Sequence, residues 1–251
     1  MEDALRATMS SPPVEAVDAG RPSDRVGPRD GWIALAYLAL YLGWLFRHQE
    51  SELEHWITMV VVPLGLAAAF LPREKRSPGT TLASLGLRRG NLGKGLGWAF
   101  LIGGLITVFQ VYVGGNAEAI QGLIRSGRAF WLFPLTLLLM AALAGLTEEV
   151  LFRGFLQTRL ERLLHSRWGA VLLASMLFGL YHLPYAYLNP RWPSHGDWGA
   201  AWGAALGNGV PGGLVLGALY VVSGGNLLAC VVLHSLVNAA PAMTLIHFGG
   251  G

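Results

Sequence analysis

Long apolar stretches separated by short polar ones set the rhythm of this chain, at 32–46, 55–71, 96–113, 130–156, 168–187, 198–222 and 227–248. Crossing the roughly 30 Å hydrocarbon core of a bilayer takes about 20 helical residues, and most of these runs reach that length. The first two are short, and the last two carry Gly or Pro interruptions. The pattern predicts seven membrane helices, or eight if Pro211-Gly212-Gly213 breaks the 198–222 run in two. Trp32, Trp56, Trp98, Trp131, Trp168 and Trp198 stand at run starts, where an interfacial aromatic belt places them. The fold class expected is an all-α polytopic membrane protein, a bundle enclosing a polar intramembrane cavity.

Composition sharpens this reading. The chain is 53% hydrophobic and 13% charged, against roughly 25% charged for soluble domains, and its mean hydropathy is +0.47. A soluble domain is excluded. Residues 1–30, with Pro12, Pro13, Pro22, Pro28 and mixed charge, read as a disordered polar tail ahead of a bundle over 31–251. A signal peptide does not fit, because the first apolar run begins late and no small-residue cleavage site closes it. With the N-terminus inside, the inner segments 1–30, 72–94 and 148–167 hold 14 of the 18 Lys and Arg residues. That bias predicts a cytoplasmic N-terminus. The basic loop 73–94 is read as a topology signal drawn to anionic lipid, and nucleic acid is not an expected partner. Gly199, Gly203 and Gly207, and again Gly213 and Gly217, recur every four residues. This is the small-xxx-small pattern of close helix packing, or in the alternative of a dimer face. The single cysteine, Cys230, rules out an intrachain disulfide framework and a thiol cluster for metal.

The candidate chemistry lies where polar residues interrupt apolar runs. No ionisable side chain occurs from Ala129 to Thr147, and then Glu148, Glu149 and Arg153 follow. Each such group costs roughly 2.5–3.5 kcal/mol on insertion scales, which marks a functional site by default. A second cluster is Phe178 with His182, and a third is His234 with Asn238. Residues four apart share a helix face, so Glu149 can pair with Arg153 while Glu148 points about 100° away. At about 1.5 Å per residue, the three clusters fall at broadly middle depth from one side of the membrane. A glutamate and a histidine at one water can remove its proton, and a histidine and an asparagine can donate to an oxyanion. The same set, Glu148, His182 and His234, is also a zinc-type ligand set. There is no His-Glu-x-x-His, no aspartate in the apolar runs, no lysine outside the 73–94 loop and no Gly-x-Ser-x-Gly elbow. Taken alone, Arg153 reads equally as a structural ion pair, Phe178 as packing, and Asn238 as a bond between helices. His48, His55, His165, His195 and His247 lie near polar borders and read as solvated or interfacial.

Glu-Glu-x-x-x-Arg at 148–153, Phe-x-x-x-His at 178–182 and His-x-x-x-Asn at 234–238, in that order, resemble the signature of the CAAX prenyl endopeptidase and bacteriocin-processing family (CPBP, or Abi). The resemblance covers about residues 80–245. It implies an intramembrane glutamate endopeptidase in which Glu148 and His182 activate water and His234 and Asn238 form the oxyanion hole. Glu149, Arg153 and Phe178 support them. No cofactor is implied, zinc being the disfavoured variant. The implied partners are a peptide or protein substrate at the membrane and the bilayer itself, in a bacterial inner membrane. Two alternatives stand beside it: a non-catalytic peptide-binding or bacteriocin self-immunity protein, and a metal-dependent hydrolase. Substrate, prenylation and oligomeric state are not legible.

Overall fold

The computed structural model describes residues 28–47, 57–61, 63–65, 85–87, 91–190 and 192–246. Its described residues are helical with connecting turns, and seven helices organise them: α1 (Pro28–Leu45), α2 (Leu92–Tyr112), α3 (Ala117–Arg125), α4 (Ala129–Leu164), α5 (Arg167–Leu188), α6 (Trp198–Val222) and α7 (Leu227–Met243). The helices α2, α4, α5 and α6 are long and apolar enough to cross a membrane, and α7 is a shorter apolar helix. The protein is a polytopic membrane helical protein. The tail expected at 1–30 and the run expected at 55–71 lie largely outside the described residues, of which Ile57–Val61 forms one π-helical turn. The expected histidines His48, His55 and His247 lie there too.

Local chemistry explains where the helices start. Ser166 accepts a hydrogen bond from the Gly169 amide at 3.0 Å and opens α5. Asp197 does the same for Ala200 at 3.0 Å in α6, and Asn226 for Ala229 at 3.3 Å in α7. Each side chain satisfies one of the amides that a helix N-terminus leaves without a partner. The run 198–222 is one continuous helix, with a short π-helical stretch (Ala205–Gly209) just before Pro211. The wider π-type turn before Pro211 accommodates a ring that would clash with the preceding turn of a regular α-helix, so α6 is not broken in two.

Close approaches fix how the helices run. A Cβ on Gly31 of α1 would meet Leu163 Cβ at 2.7 Å, placing the start of α1 beside the end of α4. On α2, a Cβ on Gly95 would meet Ala229 at 2.8 Å and one on Gly103 would meet Leu236 at 2.8 Å, so α2 and α7 run parallel. Between α5 and α6, a Cβ on Gly213 would meet Ser175 Cα and one on Gly209 would meet Gly179 Cα, both at 2.8 Å. These glycines let two backbones approach without a side chain between them. The i+4 pattern divides accordingly. Gly213 and Gly217 pack inside, whereas Gly203 and Gly207 have nothing within 4 Å among the described residues. Exposed leucines, phenylalanines and tryptophans cover the outward faces of α2 and the first half of α4, as lipid contact requires.

The starts of α1, α2, α5 and α7 thus share one end of the bundle with the ends of α4 and α6. This predicts that a cysteine introduced at Glu161 and one at Ser126 lie on opposite faces of the membrane. An impermeant thiol reagent should label the two from opposite sides, one in intact cells and the other only in inverted vesicles. Labelling of both from one side would contradict the helix directions.

Candidate active site

The segment bearing the two glutamates is locally irregular. Residues Leu146–Glu149 form one α-helical turn between two π-helical stretches, Ala141–Gly145 and Val150–Gln157. Wider π-type turns re-aim the side chains that follow them and recur at functional sites. Glycine admits the first of these stretches to its neighbour. A Cβ on Gly145 would meet Ser235 Oγ at 2.8 Å and the Val231 carbonyl at 3.2 Å, so α4 lies close against α7 just before Glu148. Thr147 turns its hydroxyl back to the Leu143 carbonyl at 2.5 Å.

Glu149 is fully buried and Glu148 is 3% exposed. Oε1 of Glu149 accepts from Arg153 Nη1 at 2.8 Å and from His234 Nδ1 at 2.7 Å. Arg153 in turn donates from Nη2 to the Gly213 carbonyl of α6 at 3.2 Å and lies over the Phe178 ring of α5, its Cζ 4.5 Å from the centroid. One carboxylate and one guanidinium therefore tie together α4, α5, α6 and α7. One turn further, Gln157 Nε2 donates to the Gly217 carbonyl at 3.3 Å. The pairs 153–213 and 157–217 keep the same offset, which means that α4 and α6 run parallel and in register. Both acceptors are glycine carbonyls, open to a second donor because no Cβ shields them.

Glu148 is placed differently. Its Oε2 lies 3.7 Å from His234 Nε2, within ion-pair distance but too long for a hydrogen bond. Among the described residues that oxygen is buried and makes no hydrogen bond, as is Oε2 of Glu149. His182 is half-buried, and its Nδ1 donates to the Phe178 carbonyl at 2.7 Å. That bond commits Nδ1 and leaves Nε2 as the acceptor nitrogen of the neutral ring. Phe178 stands edge to face between the two imidazoles, 4.6 Å from His182 and 6.1 Å from His234 between centroids.

Six of the seven residues singled out in the sequence are thereby brought together: Glu148, Glu149, Arg153, Phe178, His182 and His234. The seventh, Asn238, is half-buried on the next turn of α7 beyond His234, and no hydrogen bond of its carboxamide is seen among the described residues. Among the described residues, no three His, Cys, Asp or Glu side chains are grouped so as to hold a metal ion. Cys230 is buried with its Sγ 3.5 Å from the Leu216 carbonyl. Sequence reasoning missed two features. Glu149 serves His234 as well as Arg153, and Gly213 supplies a carbonyl to the site. The small-residue spacing pointed at Gly213, but only as packing.

The model of a protein family described as type II CAAX prenyl endopeptidase Rce1-like matches residues 130–240. No curated protein and no solved structure matches the chain. The matched stretch runs from the start of α4 into α7 and contains every residue of the cluster.

The buried contacts predict a stability effect. Arg153→Leu leaves the Glu149 carboxylate without its guanidinium, and breaking a buried pair from one side costs about 3–5 kcal/mol. Denaturation in mixed micelles should register a loss of that order, partly recovered when Glu149→Gln is added. A loss within the ~1 kcal/mol typical of exposed pairs would show that the pair is solvated.

Proposed function

We propose that this chain, whose residues 130–240 match the model of the Rce1-like type II CAAX prenyl endopeptidase family, hydrolyses a peptide bond of a membrane-associated substrate, using water activated by Glu148 and His182. The observation that carries the reading is the division of labour between adjacent carboxylates. Glu149 holds Arg153 and His234 through Oε1, whereas Glu148 makes no hydrogen bond seen among the described residues and only approaches His234 Nε2 at 3.7 Å, its Oε2 buried without a partner. An orphaned acceptor inside an apolar bundle calls for a chemical explanation, and a general base supplies one.

In this reading Glu148 takes a proton from water as the water oxygen bonds to the scissile carbonyl carbon. His182, its Nδ1 held by the Phe178 carbonyl, accepts the water's other hydrogen at Nε2 and so aims the lone pair. The carbonyl oxygen becomes an oxyanion, to which His234 Nε2–H and the Asn238 carboxamide donate. The carbon–nitrogen bond then breaks, and the proton held by Glu148 passes to the leaving amine. The products are a carboxylic acid and an amine.

Charge balance supports the assignment of His234. With Glu148 and Glu149 negative and Arg153 positive, an imidazolium at 234 brings the quartet to zero. In a low-dielectric interior a neutral cluster avoids the desolvation cost of an unpaired ion. The imidazolium also carries the Nε2–H that an oxyanion needs, and Glu149 at Nδ1 fixes its ring, as a second carboxylate does in acid–base dyads. We further propose that the enzyme works without metal, with its N-terminus in the cytoplasm of a bacterial inner membrane.

Cleavage of a reporter peptide library by the purified protein tests this. Glu148→Gln should reduce kcat by about 10²–10⁴-fold, the range for loss of a general base. Asn238→Ala should reduce it by about 10²–10³-fold, the range for one oxyanion donor. A chelator should leave the wild-type rate unchanged. Equal product from wild type and Glu148→Gln would overturn the assignment, and activity lost to chelator and restored by zinc would move it to a metal-dependent hydrolase.

A further inference from the structure

Proline interrupts the backbone ladder of α7 beside Asn238. Pro241 lies inside that helix and has no N–H. It cannot donate to the carbonyl four residues before it, which belongs to Val237. That carbonyl is one half of the peptide group whose other half is the Asn238 amide. A carbonyl inside an apolar bundle must find another donor or lose its hydration without return.

The donor comes from another helix. Gln110, on α2, donates from Nε2 to the Val237 carbonyl at 2.9 Å, across 127 positions of sequence. Thr107, one turn earlier on α2, offers a contrast. Its hydroxyl donates to the Gly103 carbonyl at 2.8 Å and only approaches the Leu236 carbonyl, at 3.4 Å. Leu236 has the Ala240 amide as its i+4 donor and needs no other. The short bond between the helices thus falls on the carbonyl that proline leaves bare.

Only half of the Gln110 carboxamide is used in this way. With Nε2 on the carbonyl, Oε1 is buried and makes no hydrogen bond among the described residues. An apolar side chain of the same length would fill the space without an unmet acceptor, so packing does not account for a glutamine. The two helices are also held close without it. A Cβ on Gly95 would meet Ala229, and one on Gly103 would meet Leu236, both at 2.8 Å.

We propose, on the reading of Asn238 as an oxyanion donor, that Gln110 is a positioning residue for Asn238. Its bond to the Val237 carbonyl replaces the amide missing at Pro241 and holds the turn of α7 that presents the Asn238 carboxamide. An oxyanion donor must lie about 2.7–3.1 Å from the developing charge, and a helix weakened at proline lacks the bond that would fix such a position. Gln110 and α2 lie outside the matched stretch 130–240, so the catalytic unit is larger than that stretch.

The full-length protein in detergent carries its own reporter. Val237-Asn238 is the only Val-Asn pair in the sequence. Valine isotope-labelled at its carbonyl carbon, with asparagine isotope-labelled at its backbone nitrogen, therefore marks that single peptide group in NMR spectra. Gln110→Met keeps the length of the side chain and removes the donor. It should move the Val237 carbonyl resonance toward that of an unbonded carbonyl. Gln121→Leu, which loses a similar bond to the Val111 carbonyl, should leave the resonance in place. In the peptide assay Gln110→Met should lower kcat by about tenfold, short of the roughly 10²-fold that a misplacement of about 1 Å can cost. KM should stay within about twofold of wild type, because the donor acts on the transition state. In an Asn238→Ala background Gln110→Met should change kcat by less than about twofold, since the two act as one unit. With an amide restored by Pro241→Ala, Gln110→Met should not lower kcat below that of Pro241→Ala alone, a comparison that holds even where the single variant fails to fold. A Val237 resonance or a kcat unchanged in Gln110→Met overturns the proposal, as does a further tenfold loss in either the Asn238→Ala or the Pro241→Ala background. The NMR measurement needs no substrate. A wild-type protein that cleaves nothing refutes the endopeptidase reading, while the Val237 resonance still decides whether Gln110 holds this peptide group.

Discussion

A carboxylate sealed inside an apolar bundle is tolerable only where charged or polar donors come to it, and Glu149 draws an arginine and a histidine. Its Oε1 holds Arg153 on its own helix and His234 on α7, at 2.8 and 2.7 Å. Arg153 then reaches the Gly213 carbonyl of α6 and the Phe178 ring of α5. The contacts among α4, α5, α6 and α7 therefore meet at one ionic group. The cost of burying it fixes the distances between the helices, because any separation would leave a charge unpaired in a medium that cannot hydrate it. The catalytic geometry proposed for Glu148, His182 and His234 depends on this arrangement and has no other obvious source of precision.

Backbone irregularity and missing side chains make the arrangement possible. The π-helical stretches on both sides of Leu146–Glu149 set the direction of the two carboxylates. Gly145, Gly213 and Gly217 let α4 meet α7 and α6 at backbone distance. Each substitution at these glycines adds a methyl group where a neighbouring atom lies about 3 Å away. Low charge density on the lipid-facing surface and dense polarity within belong to one design: the bilayer demands the first, and water chemistry demands the second.

Much of this was legible in the sequence, and the reasons are physical. Membrane helices declare themselves by length and apolarity, so the boundaries of α5 and α6 fall within a residue of the runs that predict them. Ionisable residues in such runs are costly, so Glu148, Glu149, Arg153, His182 and His234 stand out before any fold is known. The pairing of Glu149 with Arg153 follows from i+4 spacing alone. Contacts between distant helices do not follow in this way. That Glu149 also takes His234, 85 positions away, depends on the packing of α4 against α7, which no local pattern encodes. The glycine pattern was half informative: spacing identifies a smooth face but not whether a helix or lipid covers it, and Gly203 and Gly207 turned out to face outward.

The division of roles between adjacent glutamates is most directly tested at His234, through the protonation of its ring. Nitrogen NMR of histidine-labelled protein, with the His234 signals identified by their loss in His234→Ala, reads both ring nitrogens at neutral pH. The expected result is an imidazolium, with Nδ1 and Nε2 both protonated, that reverts to a singly protonated ring in Glu149→Gln. A His234 ring carrying one proton in the wild type, unchanged by Glu149→Gln, would contradict it.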